Sequence, residues 1–292
     1  MHYTGQVYRP PLEAYTPLLE VTIGCSHNKC AFCTMYKQTP FSLAPKENIE
    51  ADLKELSNYD SFIDRIYLLN GDPFVLSTDK LVDIANMIHS NLSNVKTITC
   101  YASFYNLKNK SVDELKKLKS LGYNELYIGV ESGYDKVLSY LNKGANLDEY
   151  KEGLEKLKEA SIEYHAIIML GIAGRGNSKI NAQKTAEFLN LYPPRSVFPM
   201  TTDVQKGSML YEMRKNGLFE EATIREILEE QIELVENLQL DDNALYSSAH
   251  AVNMLSIRHR FKNKDKILEK LHYALNHAPD EILNSTNQRV AR

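Results

Sequence analysis

Three cysteines fall within nine residues of a 292-residue chain. They are Cys25, Cys30 and Cys33, in the run GCSHNKCAFCTMY. Three thiolates on one loop can hold three irons of a 4Fe–4S cube and leave the fourth iron open to a ligand. A zinc site would close with a fourth donor, which His27 or Cys100 would have to supply. A redox dithiol would use Cys30 and Cys33 at a helix start and leave Cys25 unexplained. Three buried structural cysteines fit poorly beside Gly24, Ser26, His27 and Asn28.

Other residue groups have the types that chemistry needs. In YLLNGDPFVL, Gly71 lets the backbone come close to a ligand, and the Asp72 carboxylate can pair with an ammonium. Asn70-Gly71-Asp72 is equally good turn chemistry. In ELYIGVESGYDKVLSYLNKG, Glu131 is either a ligand-binding carboxylate or a cap for the following helix. Cys100 reads as a small buried residue, or as a reactive thiol or hydrogen donor inside a barrel. His250 and Asn253, three apart in YSSAHAVNML, could face one site; a satisfied structural histidine is the competing reading.

These residues need elements to position them. Short β-rich runs at 18–24, 65–70, 97–102, 125–130, 164–171 and 196–200 alternate with amphipathic segments at 46–59, 78–93, 111–121, 147–160 and 177–192. Leu81, Ile84, Ala85 and Ile88 carry the i, i+3, i+4, i+7 spacing of a buried helical stripe. Pro45 and Ser111 mark helix starts. Six strand–helix alternations predict an α/β fold with a parallel sheet and right-handed crossovers, an incomplete (βα)6 barrel, with a doubly wound open sheet as the alternative. Past residue 215 the pattern turns helical, at 222–240 and 265–276, so 1–215 is expected as the barrel domain and 216–292 as a helical extension packed on it. In parallel barrels, reactive groups gather where strands end. Cys25, Asn70-Gly71-Asp72, Glu131-Ser132-Gly133 and Gly171 all end or follow predicted strands, and so are expected to converge.

On these motifs the chain resembles the radical S-adenosylmethionine superfamily, over roughly residues 18 to 210. Its usual signature is C-x3-C-x2-C with an aromatic residue before the last cysteine; Phe32 takes that place, while four residues separate Cys25 from Cys30. The resemblance implies that Cys25, Cys30 and Cys33 hold the cluster and that Phe32 lies near the adenine. Asn70-Gly71-Asp72 resembles the Gly-Gly-Glu segment that contacts the methionine amino group. Glu131 and Ser132 match Gly-x-Glu-Ser-Gly, with Glu131 accepting from the ribose hydroxyls. Leu170 and Gly171 match a Leu-Gly-Leu-Pro-Gly-Glu-Thr run that lines the adenine, where Ala173 and Arg175 replace the proline and the acidic residue. Arg175 could instead meet an anionic substrate group. The implied activity is reductive cleavage of S-adenosylmethionine to a 5′-deoxyadenosyl radical that abstracts hydrogen from a substrate, with Cys100 and His250 as candidate catalytic residues. An external donor such as flavodoxin or ferredoxin is implied too. Only Cys100 remains after the first three cysteines, so a second all-cysteine cluster is not expected.

Composition adds bounds. Hydrophobic content of 43% with 25% charged residues is ordinary for a globular protein. A net charge of −4 makes no electrostatic case for nucleic acid or an anionic membrane. The start lacks a basic stretch leading into an apolar run, and the longest apolar run, 166–173, is too short to span a bilayer, so a cytoplasmic location is expected. The alternative function is a non-radical iron–sulfur or zinc-binding sensor or scaffold on the same fold.

Overall fold

Several helices begin where the sequence offers a side chain to occupy their first free N–H groups. Ser103, Ser111 and Thr223 each form a capping box, with Asn106, Glu114 and Glu226. Ser208 accepts from the Tyr211 N–H at 3.0 Å. Such caps each contribute about 1 kcal/mol.

The computed structural model describes residues 1–288. Its strands are β1 (Leu18–Leu19), β2 (Thr22–Ile23), β3 (Ser42–Leu43), β4 (Arg65–Leu68), β5 (Thr97–Ala102), β6 (Glu125–Glu131), β7 (Glu163–Leu170), β8 (Ser196–Thr201), β9 (Leu245–Ser247) and β10 (Arg258–Arg260). Its helices are α1 (Lys46–Leu56), α2 (Thr78–Asn91), α3 (Phe104–Lys108), α4 (Val112–Ser120), α5 (Asp135–Leu141), α6 (Leu147–Glu159), α7 (Ser178–Leu191), α8 (Met209–Lys215), α9 (Ile224–Asn237), α10 (Lys264–His277) and α11 (Asp280–Leu283). The main sheet has eight strands in the order β1-β4-β5-β6-β7-β8-β9-β10 and is mostly parallel; β2 and β3 form a separate antiparallel pair. This is the α/β architecture expected, with two more strands in the sheet than the six the sequence marks.

The chain forms two compact units. The first comprises residues 1–28, 35–128 and 149–164, the second 29–34, 129–148 and 165–292. In the first, Leu81, Ile84, Ala85 and Ile88 of α2 are buried as their spacing predicts, with Ile66, Leu68, Ile98 and Leu126 from the strands. Each such leucine or isoleucine contributes roughly 1.5–3 kcal/mol through burial. The opposite strand face is aromatic and charged. Tyr67, Tyr101 and Tyr127 meet edge to face at 5.9 to 6.1 Å between centroids. Below them Arg65 binds Glu13 and Glu125, while the Tyr127 hydroxyl donates to Glu13 at 2.6 Å. Burial alone would raise the Glu13 carboxyl, but the hydrogen bonds and charge of Arg65 outweigh it and hold the group below its ordinary value.

The expected strand 18–24 is broken in two at Glu20. Its carboxylate accepts from Thr4 N at 2.9 Å, Thr4 Oγ1 at 2.8 Å and Asn70 Nδ2 at 3.1 Å. That anchor turns the chain out of the main sheet and into the pairing with β3.

In the second unit, β8 is joined in parallel by β9, which pairs antiparallel with β10. The segment past residue 215 is therefore helical with two short strands that extend the sheet. Asn253 stitches this addition to β8: its Oδ1 accepts from Thr201 N at 2.8 Å and Thr201 Oγ1 at 2.9 Å, and its Nδ2 donates to Pro199 O and Ser248 O, both at 2.8 Å.

Candidate functional site: strand ends and the cysteine loop

Four strands end in a left-handed residue: Gly24 after β2 (φ 74), Asn70 after β4 (φ 80), Glu131 at the end of β6 (φ 61) and Gly171 after β7 (φ 74). Glycine adopts this conformation freely, whereas Asn and Glu do so at a cost that the surroundings must offset. The two non-glycine cases are residues that the sequence singles out.

In the first unit, the Asn70-Gly71-Asp72 turn is built against the loop that carries Cys25. Gly71 N donates to Gly24 O at 3.0 Å. A Cβ on Gly71 would stand 2.7 Å from the Tyr36 ring and 2.8 Å from the Cys25 Cβ, so only glycine fits. The Ser26 hydroxyl donates to Asp72 Oδ2, and Asp72 is 2% exposed. Asn70 is equally buried, and its Nδ2 is spent on Glu20 and, at 2.7 Å, on Thr22 O. What this turn offers a ligand is backbone. Asn28 takes up a left-handed conformation within the four-residue spacer, at φ 43, and its Nδ2 donates to Tyr36 O at 2.6 Å.

Cys100 is fully buried in β5, and burial pushes its thiol well up, so it stays protonated. Strand alternation turns it away from the Tyr101 face. This placement fits the reading of Cys100 as a small buried residue.

In the second unit, the segment 29–34 is held from both sides. Ala31 N donates to Leu141 O at 2.9 Å, Leu210 N to Ala31 O at 2.8 Å, and Asn142 Nδ2 to Lys29 O at 3.0 Å. Cys30 and Cys33 are half-buried, and Cys33 N donates to Cys30 O at 3.3 Å. Lys143 Nζ lies 5.8 Å from the centre of the Phe32 ring and 2.7 Å from Glu131 Oε1. The sequence shows Asn142 and Lys143 only as the end of a helix motif. That they reach the cysteine segment and the Glu131 carboxylate follows from the left-handed turn at Asn142, φ 53.

Ser132 is buried beside Glu131, and its hydroxyl donates to Asn181 Oδ1 at 2.5 Å. Gly133 N donates to Thr185 Oγ1 at 3.0 Å. Leu170 is buried, its carbonyl accepting from Thr202 N at 2.9 Å and Thr202 Oγ1 at 2.7 Å. Gly171 N donates to Glu230 Oε2 at 2.7 Å. His250 follows β9; its Nδ1 accepts from Val252 N at 3.3 Å, and burial lowers its pKa, so at neutral pH it is a neutral ring with the proton on Nε2. Asn253 has both ends of its amide occupied and acts as a staple. Arg175 pairs with Glu220 at the surface.

Cys25 in the first unit and Cys30 and Cys33 in the second are each half-buried, and thiolate sulfur is the soft donor an iron–sulfur cube takes. Gly71 keeps the approach to Cys25 open to backbone alone. Among the described residues, no group of three His, Cys, Asp or Glu side chains stands ready for a single metal ion. No helix among them is long and apolar enough to cross a membrane.

No curated protein matches the sequence. Solved structures resemble the fold. Methylornithine synthase aligns at TM-score 0.55 with 16% identity, covering 77% of this chain and 63% of that one. A radical S-adenosylmethionine methyltransferase from Kitasatospora setae, solved with cobalamin and a 4Fe–4S cluster bound, aligns at 0.55 with 14% identity over 69% and 39%. Coproporphyrinogen III oxidase from Escherichia coli, described as a radical SAM enzyme, aligns at 0.51 with 12% identity over 76% and 51%. The chain thus spans less than two thirds of the length of these structures, and at such identities the likeness concerns the fold. A family model described as the Radical SAM superfamily, whose enzymes use a 4Fe–4S cluster and S-adenosylmethionine, matches residues 19–189, more than half of the chain. The chain belongs to the Radical SAM superfamily.

Proposed function

We propose that Cys25, Cys30 and Cys33 hold a 4Fe–4S cluster and that the strand ends around them bind S-adenosylmethionine, making the chain a hydrogen-abstracting radical enzyme. When bound, the two groups supply a 5′-deoxyadenosyl radical, formed by one-electron cleavage of the sulfonium, that removes hydrogen from the substrate. The observation that carries the reading is the Asn70-Gly71-Asp72 turn, packed on Cys25 with no room for a side chain at Gly71.

The residues divide the work. Asn70 and Gly71 present backbone to the methionine ammonium, while Asp72 holds Ser26 and with it the loop of Cys25. Phe32 lies against the adenine, with Leu170 and Gly171 lining the adenine from β7. Glu131 accepts from the ribose hydroxyls, and Lys143 holds its carboxylate in place. His250, neutral with an Nε2–H to donate, faces the substrate; H250A is expected to leave substrate-free cofactor cleavage unchanged. Residues 1–215 form the cofactor-binding domain, and 216–292 pack on it. A small electron carrier of the flavodoxin or ferredoxin class reduces the cluster.

The test is anaerobic reconstitution with iron and sulfide, then dithionite reduction with S-adenosylmethionine and an assay for 5′-deoxyadenosine. Product that is lost in C30A is the expected result. A cluster that forms but yields no product, with or without candidate substrates, would overturn the reading in favour of a sensor.

A further inference from the structure

Glu230 lies on α9, in the segment past residue 215 where the sequence offers no cofactor residue, and it is 1% exposed. A carboxylate so buried is costly unless its oxygens have donors. Both do: Oε2 accepts from Gly171 N at 2.7 Å, and Oε1 from Asn181 Nδ2 at 2.6 Å. The other end of the same amide, Asn181 Oδ1, accepts from the Ser132 hydroxyl, whose oxygen accepts from Tyr134 N at 3.0 Å. One side chain thereby reaches the end of β7 directly and the end of β6 through a single amide. Glu230, Asn181 and Glu131 also line one small cavity of about 10 Å³, room for a single water at most.

We propose that Glu230 is a positioning residue for S-adenosylmethionine: as a carboxylate it fixes the strand ends at Ser132 and Gly171 in the arrangement that binds the cofactor. The proposal rests on the function proposed above and extends it to α9. Ionisation matters because the donors are fixed. A backbone N–H faces one oxygen and an amide NH2 the other, so a carboxylic acid would set donor against donor. Burial, partly offset by the bonds from Asn181 and Gly171, pushes the group up to about 7. The titratable groups around it are Glu226 one turn earlier on α9, Glu131 on the shared cavity with its partner Lys143, and the Tyr140 hydroxyl of α5, which donates to Ile172 O. Lys143 pairs with the Glu131 carboxylate on that cavity.

The test is calorimetric titration of S-adenosylmethionine into cluster-loaded protein kept oxidised, so that the cofactor is not cleaved, over the pH range around 7. The wild-type affinity is expected to rise roughly tenfold as pH passes upward through about 7, the equivalent of one charge-assisted hydrogen bond. E230Q is expected to bind about tenfold more weakly on the alkaline side and to lose the pH step, with iron content and circular dichroism unchanged. N181A keeps the bond to Gly171 but cuts the link to Ser132; it is expected to bind more weakly, with its pH step moved upward, and it decides the matter if E230Q does not fold. Variants that match the wild type in affinity and pH profile overturn this proposal alone. A cluster-loaded wild type that binds no S-adenosylmethionine overturns the proposed function, and this inference with it.

Discussion

Gly71 shows how one missing side chain fixes a site. The Tyr36 ring and the Cys25 Cβ already occupy the space a methyl would need. G71A is expected to lower stability by about 1–3 kcal/mol, the usual cost of overpacking, and to lower iron bound per chain after reconstitution. Urea denaturation and an iron assay check the two effects, and a variant with full iron and an unchanged midpoint would refute the role. The glycine was legible in the sequence, where it fitted a tight turn as well as a close approach of backbone to a ligand. The work of its neighbours was not. Asn70 reads as a ligand, yet its amide is spent on Glu20, 50 residues away, a pairing no local pattern encodes. Glu230 carries no signal at all: a glutamate within an amphipathic helix looks solvent-facing until the fold buries it.

At the level of elements, α9 depends on its first turn. Thr223 and Glu226 cap each other, and the same Glu226 accepts from Gly176 N at 2.6 Å in the loop after β7. T223A is expected to cost about 1 kcal/mol in a denaturant titration, and E226A more, because it also frees the loop; equal losses would show that the loop contact contributes nothing. Long elements with clear periodicity, such as α2 and β5, are where the sequence expects them, to within a residue or two. The misses are short. Leu245–Ser247 and Arg258–Arg260 have three residues each, too few for a period to register, and they are strands because β8 and each other supply their partners. The run at 18–24 has a strand's composition throughout, and only the Glu20 anchor breaks it.

Across the whole molecule, two buried carboxylates pull the pH dependence of stability in opposite directions. Glu230 has a folded value, about 7, above the unfolded 4.5, so its contribution is whole below 4.5 and is lost as pH rises through about 7. Glu13 is held below 4.5 by Arg65, so its contribution is present above 4.5 and is lost as pH falls through its folded value. E230Q is therefore expected to flatten the loss of stability between mildly acidic and mildly alkaline pH, by at most about 3 kcal/mol, while E13Q is expected to destabilise the neutral protein by roughly 3 kcal/mol by leaving Arg65 short of a partner. Denaturation midpoints across pH check both, and an E230Q midpoint with the wild-type slope would count against the first. The ionised Glu230 that grips the strand ends is thus the form that strains the fold, a common bargain at functional sites. Asn253 has a consequence of another kind. Beyond the two residues of β8 that pair with β9, its amide gives Thr201 a backbone-like acceptor and Pro199 a backbone-like donor, imitating a strand where none continues. A chain shortened before residue 245 would lose both the strand and its imitation, baring Val197 and Phe198 along an open ladder. Such a chain should self-associate, which light scattering would register.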